Sequence, residues 1–324
     1  MADCENRATP RITVVMAVYE PNREWLREQL RSLEGQTLAP SLLLLRDDHS
    51  PSFTLDELEQ LAAECITRFP VRCERSEENR GSNATFAQLT REAEGDYIAY
   101  CDQDDIWEPD KLRRLADVLS QPGVTLSCCD LSVMDGQGRQ TARSITQVKP
   151  HIVYRSGTGL APLFLTENFV TGCALLMPVA LAQEALPFVR SMVHDQWLGL
   201  WAASKGRIAG VAEPLVRYRI HDDNQTHTLA RIESKKDYYE KRVLPFAARM
   251  KELRGRIDLG QPQRQAESWA DVRAALYRKE KGAWRRLAAL RHVNGKISCF
   301  ELALPLMPPP LFRLALRLIQ KGAM

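Results

Sequence analysis

The 324-residue sequence has no run approaching the ~20 consecutive apolar residues that a helix needs to span a bilayer, so no membrane-spanning helix is expected. Its first ten residues, MADCENRATP, lack an apolar stretch of the kind that opens a secretory leader, and none is expected there. No two of its eight cysteines form a CxxC pair, which argues against a cysteine-held zinc. Several sit in apolar runs, where a free thiol behaves as a small buried hydrophobe. That pattern suits a reducing cytoplasm. GxGxxG, Walker, HExxH and GxSxG motifs are missing, and with them the usual signs of a dinucleotide fold, a P-loop, a zincin or a serine hydrolase. The basic residues carry no interleaved aromatics, so nucleic acid is not an expected partner. No internal repeat is present.

What is present is unevenly charged. The net charge is only +3. Residues 1–224 hold 23 Lys and Arg against 32 Asp and Glu, a net of −9; residues 225–324 hold 21 against 9, a net of +12. An acidic first part suits cation binding. A basic tail suits a polyanion, an anionic membrane surface, or a set of solvated helix faces.

Strand and helix patterns alternate through the first part. RITVVMAVY (11–19) and SLLLLR (41–46) read as buried strands, and the runs 71–74 and 96–101 as a third and a fourth strand. Helical patterns lie between them, the first placing Leu26, Leu30 and Leu33 on one face, the others over 55–68 and 82–94. Short connections between such elements imply a parallel, doubly wound α/β sheet, whose ligands gather at the carboxyl ends of the strands. Three of the four ends here carry acids: Asp47-Asp48, Glu74 and Asp102 to Asp105. Carboxylates crowded at one edge repel each other unless a cation or a hydrogen-bonding ligand sits among them. From about 125 the pattern changes. A strand is expected over 170–177, an apolar helix over 195–204, two short strands over 207–220, and charged helices beyond Thr228.

Asp102-Gln103-Asp104 is a DxD at a strand end. Two carboxylates one residue apart in a turn can reach a hard cation and the sugar beside it; Mg²⁺ or Mn²⁺ takes such oxygens and completes its shell with phosphate oxygens and water. By itself a DxD says little. Its setting says more, because the sequence resembles family 2 glycosyltransferases in several blocks in the family's order: MAVYEPN (16–22), RDDHS (46–50), ENRGSNATF (78–86), GDYIAYCDQDDIWEPDKL (95–112), TGCALLM (171–177), HDQWLGL (194–200) and YRIHDDNQT (218–226). The last block is similar to one in the rhamnosyltransferase-like branch.

The resemblance implies a GT-A fold, Rossmann-like, with a nucleotide-binding half over about 11–124, an acceptor half over about 125–228, and a helical basic extension over 229–324. It implies Asp48 as acceptor of a hydrogen bond from the nucleotide base, with a turn or cap role as the structural alternative. Val18, Tyr19 and Glu20 fall along the base and ribose, although Glu20 departs from the small or amide residue of that loop. Arg80 and the Gly81 backbone face the diphosphate, and Gln103 lies on the donor side. Asp102 holds the ribose or donor sugar and, with Asp104 and His221, the metal. Asp105 reads as a residue that starts the following helix. Asp195 is the candidate general base, with a plain helix cap as the alternative. Thr171, Gly172, His194, Trp107 and Trp197 belong to the acceptor side, the two tryptophans alternatively to the core.

The implied activity is an inverting transfer of a sugar from a nucleotide diphosphate, dTDP-rhamnose being the first donor to consider and a UDP-hexose the second. The acceptor is a saccharide or lipid-linked saccharide of a surface polysaccharide. A non-catalytic nucleotide-sugar-binding partner in a polysaccharide complex is the reading from another class. Finally, 311–321 reads as a short amphipathic basic helix, with Leu311, Leu314, Ala315, Leu318 and Ile319 to one side and Arg313, Arg317 and Lys321 on another. Such a helix can lie peripherally on the inner face of the cell membrane or pack on its own protein.

Overall fold

The structure is a computed structural model that describes residues 9–150, 152–221 and 232–320, with Ile319 and Gln320 described by their backbone alone. Asp222 to Thr226 of the late histidine block, the boundary near 228, and Lys321 at the end of the last helix lie outside the described residues.

The first part is built around nine strands: β1 Ile12–Val18, β2 Leu42–Asp47, β3 Val71–Arg75, β4 Tyr97–Cys101, β5 Ile106–Trp107, β6 Val124–Met134, β7 Gln140–Ala142, β8 Leu175–Pro178 and β9 Arg207–Arg219. They run in the order β3-β2-β1-β4-β8-β6-β9-β5, with β7 pairing β6 off this path. The first four are parallel, β6 pairs β9 in parallel, and β8, β5 and β7 pair antiparallel with their neighbours. The helices of this part are α1 Arg23–Glu34, α2 Leu55–Cys65, α3 Ser82–Glu92, α4 Lys111–Leu119, α5 Ile145–Val148, α6 Val179–Glu184 and α7 His194–Lys205.

Strand periodicity of two sorts the core into two layers. Ile12, Val14, Met16 and Val18 face one side with Leu26, Leu30 and Leu33 of α1 and Leu112 and Leu115 of α4. Val15, Leu44, Ile98 and Tyr100 face the other, with Phe86 and Leu89 of α3 and Trp197 and Leu198 of α7. Helices on both faces make the sheet doubly wound and mostly parallel, as the alternation implied. Local signals start the helices: Asn22 accepts from the backbone N–H of Glu24 and Trp25, and Thr54 forms a capping box with Glu57.

Three sequence readings change. The 207–220 stretch is one strand, not two. Its pairing with β6 shifts register around Cys129 and Asp130, and those irregularities near Pro214 made the run look broken. Thr171 to Ala174 are not strand; a 3₁₀ turn over Gly172–Ala174 precedes β8. Asp105 does not start a helix, since α4 begins at Lys111 with Asp110 as its cap position.

The C-terminal helices are α8 Lys235–Tyr238, α9 Leu244–Leu253, α10 Gln261–Tyr277, α11 Ala283–Ala289, α12 Gly295–Ala303 and α13 Pro309–Gln320. Met250, Leu253, Ala266 and Ala270 share the core layer of α7, and Glu252 accepts from the backbone N–H of Arg190 and Ser191. The extension is thus packed onto the loop that leads into α7. Its own centre is a buried ion pair, Arg273–Glu301, to which the Tyr238 hydroxyl also donates. On α13, Phe312, Ala315 and Leu316 turn inward, so Ala315 parts from Leu311, Leu314 and Leu318, with which the helical pattern groups it and which stay exposed. Among the described residues no helix is long and apolar enough to cross a membrane.

Candidate active site

The carboxyl ends of β1, β2 and β4 meet at one edge of the sheet. Val18 is buried at the end of β1, and Tyr19 beyond it is exposed. Glu20 follows in the left-handed region (φ 43°). Its N–H donates to Ser50 Oγ at 2.8 Å, and its carboxylate accepts from the N–H and hydroxyl of Ser52, which hold it below the ordinary carboxylate range. Glu20 therefore ties two loops together. Asp47 is fully buried and accepts from Arg75 Nη1 (2.5 Å) and the Ser50 hydroxyl. Asp48 is almost as buried; its two oxygens accept from the N–H of Arg80 (3.1 Å) and Gly81 (2.7 Å). Gly81 has a φ of 81°, which a residue with a Cβ rarely adopts, and it leads directly into α3. The Arg80 side chain points outward, 3.5 Å from Glu78.

The DxD turn sits beside this loop. Gln103 exchanges two hydrogen bonds with the Tyr19 backbone (2.8 and 3.0 Å), so its amide joins the turn to the end of β1. Asp104 Oδ2 lies 2.8 Å from His221 Nε2, which brings together two expected metal ligands 117 residues apart. Asp102 is partly buried, and burial together with Asp104 and Asp195 pushes its carboxyl up to about 7. Behind it, carboxylate oxygens of Asp102 and Asp105 and the Cys173 sulfur lie within 4.8 Å of one another. Asp105 is completely buried and accepts from the Arg219 N–H at 3.0 Å; burial, then Asp104 and Asp102, raise its carboxyl well above the ordinary value. Burial likewise keeps Cys173 a thiol. Lys111, also fully buried, donates to the Cys173 carbonyl, and burial lowers its ammonium to about 8.

Arg219 organises the outer side of this turn. Nε donates to the Asp104 carbonyl (2.8 Å), Nη2 to Glu28 (2.6 Å), and the guanidinium lies over Trp25, whose ring in turn meets His221 with centroids 4.9 Å apart. Sequence reasoning passed over Arg219, Lys111 and Cys173. The only signal was their position inside the matched blocks, since their partners are remote in the chain.

Asp195 stands across from the DxD turn in the first turn of α7. Val193 occupies the cap position, so a plain N-cap role does not describe it. Oδ1 accepts from Asn168 Nδ2 (3.0 Å) and the Gln196 N–H (2.6 Å), and Oδ2 from the Gly172 N–H (3.1 Å). Burial outweighs these three donors and pushes the carboxyl up to about 6. Gly172 has to be glycine for closeness: a Cβ there would meet His194 Nε2 at 2.5 Å. His194 packs tilted against Phe86 (4.2 Å between centroids), and burial drops its imidazole to about 3, so it is a neutral packing residue behind the site. Of the two readings open for the tryptophans, acceptor side or core, the packing selects core for both. Trp107 is covered, with the Lys111 ammonium over its ring, and Trp197 donates from Nε1 to the Ala185 carbonyl. Thr171 immediately precedes the turn that carries Gly172.

A mostly parallel sheet with acids at the ends of successive strands, and a separate carboxylate facing them, is the arrangement expected of a GT-A glycosyltransferase. The model of glycosyl transferase family 2 matches residues 13–183, and the chain belongs to this family. Among curated relatives it is similar to an uncharacterized glycosyltransferase of Nostoc sp., 26% identical and covering 70% of each chain. It is also similar to TuaG of Bacillus subtilis, a putative teichuronic acid biosynthesis glycosyltransferase, 25% identical over 65% of this chain and 79% of that one. Two solved structures share the fold. S. aureus TarS 1-349 in complex with UDP-GlcNAc has a TM-score of 0.59 at 16% identity, covering 96% of this chain and 92% of that one. A mannosyltransferase from Pyrobaculum calidifontis in complex with GDP-Man and Mn²⁺ has a TM-score of 0.56 at 16% identity, covering 98% and 87%.

Proposed function

We propose that the chain carries out an inverting, divalent-cation-dependent transfer of a sugar from a nucleotide diphosphate to a saccharide or lipid-linked saccharide acceptor in surface-polysaccharide synthesis, in peripheral contact with the inner face of the cell membrane. The observation that carries this reading is the Asp104–His221 contact of 2.8 Å beside Asp102, with Asp195 held apart on α7. The donor set suits Mg²⁺ or Mn²⁺. Asp102 is lifted to about 7 by burial and by Asp104 and Asp195, and a cation among these carboxylates relieves that repulsion. Asp102, Asp104 and His221 would hold it. When bound, it supplies charge to offset the departing diphosphate.

The chain's own residues do the rest. Asp48 takes the Arg80 and Gly81 N–H groups and so ties the turn before α3 to the end of β2, and the Gln103 amide locks the DxD turn against the loop after β1. Both arrangements set donor position before binding, which lowers the entropic cost of reaction. Asp195 takes the proton of the acceptor hydroxyl as that oxygen attacks the anomeric carbon from the face opposite the diphosphate. Its burial keeps proton affinity high enough for that work, while three N–H donors hold the carboxylate in place. The first donor we assign is dTDP-rhamnose, on the likeness of the late histidine block and the DxD segment. The TuaG relative supports a surface-polysaccharide acceptor.

Purified protein should hydrolyse or transfer from its donor in a cation-dependent way. Asp195→Ala should lose this while keeping nucleotide binding. If Asp104→Ala keeps full activity with the cation chelated, the metal role is wrong. If UDP-sugars alone turn over, the rhamnosyl donor is wrong and the UDP-hexose reading takes its place.

A further inference from the structure

We propose that the C-terminal helices form a docking surface for an anionic lipid bilayer. Leu311, Leu314 and Leu318 on α13 are 51%, 52% and 40% exposed, and their i, i+3, i+7 spacing puts them on one stripe. The inward face of the same helix is already occupied: Phe312 and Leu316 pack with Tyr238, Val243 and Ala274. The outer leucines are therefore left over after the helix has seated on its own protein. Leu306, just before α13, is 86% exposed. Trp284 of α11 is 51% exposed, and its Nε1 donates to the Leu302 carbonyl, which sets the ring beside the segment leading to Leu306.

Charge selects the occupant. Residues 281–320 contain seven Lys and Arg, all exposed, among them Arg285, Arg291, Arg313 and Arg317. The sole acid in that stretch is Glu301, and it is buried against Arg273. On α13 the arginines form the stripe next to the leucines, the arrangement of a helix that rests its apolar edge in a headgroup layer and sets its cations against anionic lipid. A tryptophan with an apolar body and a polar edge suits the same layer. A protein partner would need a matching run of acids in fixed register; a bilayer presents anionic headgroups everywhere along the surface. The inference deepens the reading of a lipid-linked acceptor, because it brings the enzyme to the surface where such an acceptor resides.

Flotation of the full chain with vesicles tests it and needs no turnover, so it can fail independently of the proposed reaction. The chain should float with phosphatidylcholine–phosphatidylglycerol vesicles, not with phosphatidylcholine alone, and should be released by raised salt. Arg313→Gln with Arg317→Gln should weaken partitioning on the order of 30-fold. Leu311→Ser with Leu314→Ser and Leu318→Ser should abolish flotation. Because these side chains are exposed, both variants should keep the wild-type melting temperature and vesicle-free donor hydrolysis. As a check without substitution on α13, anionic vesicles should protect Trp284 from iodide quenching, read as the difference from Trp284→Phe. Failure of the unmutated chain to float with anionic vesicles, or equal flotation by the leucine variant, overturns the proposal and leaves the face to a protein partner.

Discussion

Replacing Asp195 with asparagine should cut turnover by orders of magnitude and leave the fold almost as stable as before. Burial pushes this carboxyl from its ordinary 3.8 up to about 6, which corresponds to about 3 kcal/mol less favourable ionisation in the fold. Removing the charge returns up to that much stability at neutral pH. One effect opposes it. An asparagine oxygen keeps the bonds from Asn168 and Gln196, but its amide group then faces the Gly172 N–H, donor against donor, at a cost of about 1–3 kcal/mol. The two nearly cancel, and the melting temperature should move by only a few degrees. The rate of donor hydrolysis or transfer should fall by about 10²–10⁴, the usual contribution of a positioned base. The pH profiles should differ as well. The folded carboxyl keeps its proton to higher pH than the unfolded one, so between pH 3.8 and about 6 the native chain binds more protons, and this residue's contribution to stability falls as pH rises across that window. Activity runs the other way, rising through about pH 6 as the carboxylate forms. Nucleotide release and thermal melts across pH measure both. An asparagine variant within tenfold of wild-type turnover at pH 8, or a wild-type rate flat between pH 5 and 7, would refute this reasoning.

Four further outcomes follow from the same geometry. His221→Ala should weaken Mn²⁺ binding about 10–100-fold, measured by calorimetry with nucleotide present, because it removes the Asp104 partner as well as a ligand. Arg219→Met should destabilise the fold by about 2–4 kcal/mol in denaturant melts, since it strips hydrogen bonds from the Asp104 carbonyl and Glu28, and should raise the cation requirement. Gly172→Ala should cut turnover at least tenfold with a smaller change in nucleotide affinity, because a Cβ 2.5 Å from His194 Nε2 displaces the N–H that holds Asp195. Cation affinity should drop as pH falls below about 7, with proton release on binding, because Asp102 is protonated there in the cation-free chain.

The first two strands and β4 were legible because parallel strands buried on both faces read as short apolar runs. The acids after β2 and β4 then mark the sheet edge at which Asp48, Asp102 and Asp104 gather. The Asp104–His221 pairing came from block likeness alone; no local pattern links residues in different strands. Asp105 misled because an acid shortly before a proline looks like a helix start, whereas its burial is set by Arg219 and Cys173 from distant elements. The tryptophans stayed open between two readings for a related reason. An aromatic beside a motif suits a sugar platform as well as a core, and only the packing of α4 and α7 decides. Arg219 was invisible because its guanidinium partner Glu28 is 191 residues away. The stripe on α13 was readable from helical period, but which leucines stay outside depended on where α8, α10 and α12 sit.

The most direct test of a cation-assisted nucleotide-sugar site is a thermal-shift panel of nucleoside diphosphates, dTDP, UDP and GDP, each with Mn²⁺ or Mg²⁺, on wild type and Asp104→Ala. A ligand at 100 times its Kd stabilises the native state by about 2.7 kcal/mol, several degrees of melting temperature. We expect one nucleotide to give that shift only with a divalent cation, dTDP first, and Asp104→Ala to lose it. No shift with any nucleotide and cation, or the same shift in Asp104→Ala under chelation, would contradict the account.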